Sequence, residues 1–253
     1  MFGPSAVRAV RYLFIDEAQD YSAFQFAYIK HAFPYTKMTL LGDSNQAIYT
    51  YATVDNPLIS QENWESHERI TLRKSYRSTK QITLFTRAFA PGKEQIEPFE
   101  REGSKPRLVQ FALKDSAADV LQKEIAKQFA KGNETVGVIC KTMKESERVF
   151  ELLERNAAKR DAVKLITPKS SNFDKGLLVL PVYLAKGIEF DAVVIPDASS
   201  AVYQDEVDRN LFYTACTRAM HDLVMLSMEE PNRFIKEAAE DTYDVVSLIQ
   251  RDK

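Results

Sequence analysis

Asp16 and Glu17 stand side by side at the end of a short apolar run, residues 10–15. Adjacent carboxylates at a strand end suit hydrolysis of a magnesium nucleotide, because one can sit near the metal while its neighbour takes a proton from the attacking water. The same dipeptide also closes many strands as a solvated end or a helix start, so the pair draws its meaning from the other residue blocks of the chain. Downstream come Gln46 within Leu41-Gly42-Asp43-Ser44-Asn45-Gln46-Ala47-Ile48-Tyr49, and Arg77 within Ser75-Tyr76-Arg77-Ser78-Thr79. Glu189 is found in Ala185-Lys186-Gly187-Ile188-Glu189-Phe190, and Arg218 in Leu211-Phe212-Tyr213-Thr214-Ala215-Cys216-Thr217-Arg218-Ala219. Taken singly, Arg77 reads as a salt-bridging residue at a helix start, Tyr76 as a core aromatic, and Arg218 as part of the solvated face of an amphipathic helix.

The elements that must position these residues alternate in type. Residues 10–15 read as a strand, 22–33 carry apolar residues at helical spacing, and 38–41 read as a second buried strand stopping at Gly42-Asp43. A strand at 70–72 precedes the Ser75-to-Thr79 block, whose hydroxyl residues can cap a helix running to about Phe89. Pro91-Gly92 then breaks the chain, and 91–106 reads as a looser, charged connection. Beyond it, strands at 107–111, 135–140, 177–181, 192–196 and 223–227 are interleaved with helices at 116–130, 144–156 and 207–220. Such alternation predicts α/β architecture, with parallel sheets covered by helices on both faces. Ligands in open α/β sheets bind at the C-terminal ends of strands, which is where Asp16-Glu17 and Gly42-Asp43 fall.

Composition narrows the function classes. With 45% hydrophobic and 28% charged residues over 253 positions, the chain can bury a sizeable core and has no signature of disorder. Lys plus Arg (34) nearly balances Asp plus Glu (36), so any nucleic acid must be held locally and not by a global positive field. Cys140 and Cys216 lie in apolar stretches without ligand spacing, which excludes a disulfide framework and a zinc site and fits a reducing cytoplasm. No leader-like N-terminus and no spanning apolar run is present, so no membrane association is expected.

The blocks quoted above, in this order, resemble superfamily 1 helicases of the UvrD/Rep type, and the likeness runs from Phe14-Ile15-Asp16-Glu17-Ala18-Gln19-Asp20 to about Ser227. The resemblance implies RecA-like P-loop NTPase motor domains: residues 1–75 as the C-terminal portion of a first domain and 76–253 as a complete second one. It also implies ATP and Mg2+ as cofactors and DNA as the partner. Asp16 would hold magnesium through water and Glu17 would be the general base. Gln46, whose amide both donates and accepts, would sense the γ-phosphate. Arg77 and Arg218 would be arginine fingers, their planar forks matching phosphate oxygens. Tyr76 would stack on adenine, Gly187 would belong to the same nucleotide site, and Glu189 would accept from the ribose. Tyr49 and Tyr51 would stack on single-stranded bases, with packing at a domain edge as the competing reading.

The sequence also departs from the family pattern. It holds no Gly-x-x-x-x-Gly-Lys-Ser/Thr, since Gly92-Lys93-Glu94 lacks both the first glycine and the hydroxyl residue. The expectation is therefore a truncated chain, silent until joined to an N-terminal Walker A region. The interval from Arg77 to Lys186 is short for the large accessory domain of UvrD enzymes. Pro181 and Tyr183 stand where many relatives have Thr and His, and Ala52-Thr53 where they have Arg-Gly. Asp20-Tyr21-Ser22, Lys74-Ser75-Tyr76-Arg77 and Tyr183-Leu184-Ala185-Lys186-Gly187 look most like the HelD branch, helicase-like ATPases that associate with bacterial RNA polymerase. The alternative is a non-catalytic polymerase-docking module derived from a helicase.

Overall fold

The apolar run near the N-terminus forms strand β1, Tyr12–Ile15, and the helical spacing after it forms α1, Ala23–Ala32. In this computed structural model the described residues are 7–48, 68–90, 96–112, 116–156, 163–170, 175–228 and 230–249. Ser22 begins α1 with a capping box, its hydroxyl accepting from the Gln25 N–H while the Gln25 side chain accepts from the Ser22 N–H. Strand β2, Lys37–Leu40, then pairs with β1 in parallel, from Tyr12 against Lys37 to Ile15 against Leu40. Ile15, Ala18 and Phe26 make a small core beneath them. These elements belong to the first of two compact units, Met1–Leu72 and Arg73–Lys253.

The second unit opens with a small parallel pair, β3 (Lys74–Ser75) with β4 (Glu97–Pro98), joined through helix α2, Lys80–Arg87. The main sheet follows in chain order: β5 (Arg107–Gln110), α3 (Ala117–Ala130), β6 (Thr135–Cys140), α4 (Met143–Asn156), β7 (Lys164–Leu165) and β8 (Gly176–Pro181). It is completed by β9 (Phe190–Ile195), α5 (Asp208–Cys216), β10 (Ala219–Ser227), α6 (Arg233–Glu237) and β11 (Asp244–Ser247). Its seven strands run in the order β11-β5-β10-β9-β6-β8-β7, and every pairing is parallel.

A parallel sheet must be covered on both faces, and the alternation of side chains along its central strands shows how this is met. Val193 and Ile195 of β9, with Leu178 and Leu180 of β8, pack under α2, α5 and α6, against Phe85, Phe212 and Phe234. Ala192 and Val194, with Leu177 and Val179, face the other way, against Leu121 and Ile125 of α3 and Leu153 of α4. Gly137 interrupts β6 because the Phe190 ring fills its place: a Cβ there would lie 2.7 Å from the ring.

The α/β class with a parallel sheet flanked by helices is as the sequence predicts, but several boundaries differ. The expected strand at 70–72 does not form; Ile70 and Leu72 are exposed, and pairing starts at Lys74. The connection at 91–106 contains β4, which is held by β3 and has too few residues to show a period of its own. The helix expected over 207–220 ends at Cys216, and Ala219 and Met220 already belong to β10, since Ala219 pairs with Phe190. Strands β7 and β11 are short sheet edges that the apolar pattern does not mark. Among the described residues no helix is long and apolar enough to cross a membrane.

Candidate functional site

Parallel pairing brings the C-terminal ends of β1 and β2 together, and the backbone continues the register: Leu41 N–H donates to Ile15 O and Ala18 N–H to Leu41 O, both at 2.8 Å. The loops that carry Asp16-Glu17 and Asp43-to-Gln46 therefore lie side by side. Asp16 is exposed, with Oδ1 accepting the Glu17 N–H at 2.8 Å. Glu17 sits in the left-handed region at φ 49°, the only non-glycine residue to do so among the described ones. Such a backbone costs on the order of 1–3 kcal/mol and persists only where its neighbours enforce it.

Gln19 is that neighbour. Fully buried, it donates from Nε2 to Glu17 Oε2 at 2.5 Å and accepts the Asp43 N–H on Oε1 at 3.2 Å. Asp43 in turn caps the turn Ser44–Gln46, accepting the Asn45 N–H on Oδ1 and the Gln46 Nε2 on Oδ2, the latter at 2.8 Å. A hydrogen-bonded chain thus runs Glu17, Gln19, Asp43, Gln46. Gln19 and Asp43 are the positioning residues that sequence reasoning missed, although both stand inside the blocks already singled out.

In the second unit the residues named from sequence lie at the N-terminal ends of central strands. Gly187 and Glu189 precede β9 and Arg218 precedes β10, so they lie at the N-terminal ends of their strands, unlike Asp16 and Glu17. Gly187 has φ 75° in a turn closed by the Ile188 N–H to Ala185 O, where a side chain would strain the backbone even though the space beside it is open. Arg77 and Glu189, 112 residues apart in sequence, form an ion pair through Arg77 Nε, with side-chain exposures of 36% and 40%. Arg77 is thus a salt-bridging residue just before α2, and its partner comes from the segment that leads into β9. At that exposure the pair contributes about 0–1 kcal/mol, weak enough for another anion to displace Glu189.

Arg218 departs furthest from the bland reading. It lies beyond α5, in the turn before β10, and is fully buried; its Nε donates to Thr214 O at 3.2 Å. Its carbonyl accepts the Phe190 N–H at 3.0 Å, which ties the starts of β9 and β10 together. Tyr76 is not a core aromatic: it is 63% exposed, with Phe99 beside it at a centroid distance of 4.9 Å. Thr79 takes the N-cap position of α2 without a side-chain cap bond, and Ser78 donates instead to Ala219 O at 2.6 Å. Tyr49, Tyr51, Ala52, Thr53 and Gly92-Lys93-Glu94 lie outside the described residues.

Parallel sheets layered with helices on both faces give the α/β architecture of RecA-like P-loop NTPase domains. The UvrD/REP helicase N-terminal domain matches residues 5–67, and the UvrD-like helicase C-terminal domain matches residues 176–226. A probable DNA helicase II homolog of Mycoplasma capricolum is 27% identical over 212 residues, covering 80% of this chain and 27% of that protein. A probable DNA helicase of Mycoplasma pneumoniae is 24% identical over 264 residues, covering 90% of this chain and 47% of that protein. Among solved structures, the C-terminal domain of a possible DNA helicase from Lactobacillus plantarum is 30% identical with a TM-score of 0.57, covering 68% of this chain and 98% of that one. The chain belongs to the UvrD-type helicases of superfamily 1. It spans 27% to 47% of the length of the two Mycoplasma relatives.

Proposed function

We propose that this chain is the motor region of an ATP-dependent DNA helicase or translocase of the UvrD type, coupling ATP hydrolysis to movement on, or remodelling of, a nucleic-acid complex. The observation that carries the reading is the assembly of Arg77, Glu189 and Arg218 from distant positions. The residues suit a nucleotide: Tyr76 offers an exposed ring to a base, Arg77 an exchangeable cation to phosphate, and Asp16 one exposed carboxylate. A single carboxylate is enough for a magnesium ion that keeps water and phosphate oxygens in its shell. When bound, that ion supplies neutralisation of phosphate charge.

In this reading Glu17 takes the proton of the attacking water, oriented by Gln19, and Gln46 reports the terminal phosphate to the same hydrogen-bonded chain. Arg77 exchanges Glu189 for phosphate, and Arg218 holds developing charge. The place of action is the cytoplasm. Glu17→Gln in the ATP-hydrolysing protein should leave nucleotide binding nearly unchanged and lower kcat by about 10²-fold or more, because an amide cannot accept the proton. Calorimetry and phosphate release measure the two effects; turnover that survives the change sinks the assignment.

The HelD-like blocks favour a finer reading, in which ATP use is coupled to DNA held by RNA polymerase more than to free duplex. Pro181 and Tyr183, in place of the family's nucleic-acid contacts, support it. The same preparation should release polymerase from DNA faster than it separates a long bare duplex; the reverse order restores the ordinary helicase reading.

A further inference from the structure

Between β4 and β5, in the stretch that sequence reads as a connection, Arg101 places its Nη2 within 2.6 Å of two backbone carbonyls, those of Arg77 and Met220. These carbonyls are far apart in the chain, and each adjoins a proposed finger: Arg77 itself, and Met220 two residues beyond Arg218. Other bonds run along the same seam. The Thr79 N–H donates to Met220 O at 3.2 Å, Ser78 Oγ to Ala219 O at 2.6 Å, and the Lys80 N–H to Arg101 O at 2.8 Å. Among the described residues of this seam, Arg101 is the side chain that touches the backbone of both arginine-bearing segments.

We propose that Arg101 is a positioning residue that locks the Arg77-bearing and Arg218-bearing segments into one frame, so that Arg77 meets a phosphate from a fixed position. The proposal rests on the finger reading given above. The bonding pattern sets this role apart from ordinary stabilisation. Both bonds come from Nη2 alone, so one nitrogen of the guanidinium bridges two segments that are far apart in the chain. The delocalised charge strengthens both bonds, and the rigid plane fixes the spacing between the segments, which a flexible lysine does less well. Carbonyl ends that shift by a fraction of an ångström move the fingers off the reacting phosphate, and misplacement of about 1 Å can cost roughly 10²-fold in rate.

The test uses the ATP-hydrolysing protein that carries this chain, with Arg101→Ala, Arg101→Lys and Arg77→Ala measured side by side for kcat, KM for ATP and thermal unfolding. Arg101→Ala should lower kcat by roughly ten- to a hundredfold, with KM changed far less, and Arg101→Lys should recover part of the loss. Should Arg101→Ala fail to fold, Arg101→Lys carries the comparison, because it keeps the cation and loses the fixed plane. Wild-type kcat in both Arg101 variants overturns the proposal, as does a fall in kcat that only tracks the loss of folded protein. If Arg77→Ala keeps full turnover, the finger reading fails instead. A readout independent of turnover is amide exchange in Arg101→Lys: faster exchange at Thr79 and Lys80, with β6 unchanged, supports the lock, and unchanged protection at those amides overturns it.

Discussion

The two units solve the same positioning problem with different means. In the second, a parallel sheet buried on both faces makes a rigid block, and the site residues hang from the N-terminal ends of its central strands through backbone bonds. In the first, two strands and one helix among the described residues enclose a small core, and Tyr12 and Phe14 of β1 remain 64% and 69% exposed. Its acidic residues are fixed by side chains, Gln19 and Asp43, more than by sheet packing. Where a sheet is large, backbone register can carry geometry; where it is small, buried polar side chains must do so, at greater sensitivity to single substitutions.

The largest effect that would break this contrast concerns independent folding. Residues 73–253 should unfold in one cooperative transition, while residues 1–72 should show none, because a pair of strands with an open face buries too little to offset chain entropy. Circular dichroism melts of the two fragments decide it, and a cooperative melt of residues 1–72 would remove the distinction.

A second experiment sharpens the comparison within the larger unit. Arg218→Ala removes a fully buried side chain bonded to Thr214, so it should lower stability by about 1–3 kcal/mol as well as turnover. Arg77→Ala, acting on an exposed pair, should lower turnover with a stability change within about 1 kcal/mol. Equal destabilisation by the two substitutions would mean that burial does not separate their roles.

The smallest effect probes how closed the larger core is. Burial pushes the Cys140 thiol up to about 12 and the Cys216 thiol well above its ordinary value. A raised thiol pKa leaves almost no thiolate at about pH 8, so neither cysteine should react with a thiol reagent until denaturant is added. Fast reaction of the native protein would show local opening of β6, which carries Cys140, or of the end of α5, which carries Cys216.

The sequence by itself determined the class of fold, the order of the site blocks and the identity of the polar residues, because apolar runs at strand spacing and carboxylates at strand ends are local patterns. It could also name Arg77, Glu189 and Arg218, since residue types in a fixed order survive without knowledge of contacts. Tertiary structure alone decided how they are held. That Arg77 pairs with Glu189, that Arg218 is buried beyond the end of α5, and that Arg101 spans two segments are consequences of strands meeting across more than a hundred residues. Nor could periodicity reveal that β10 lies between β5 and β9, which sets the Arg218 carbonyl against the Phe190 N–H; strand order is a non-local choice made by packing both faces at once.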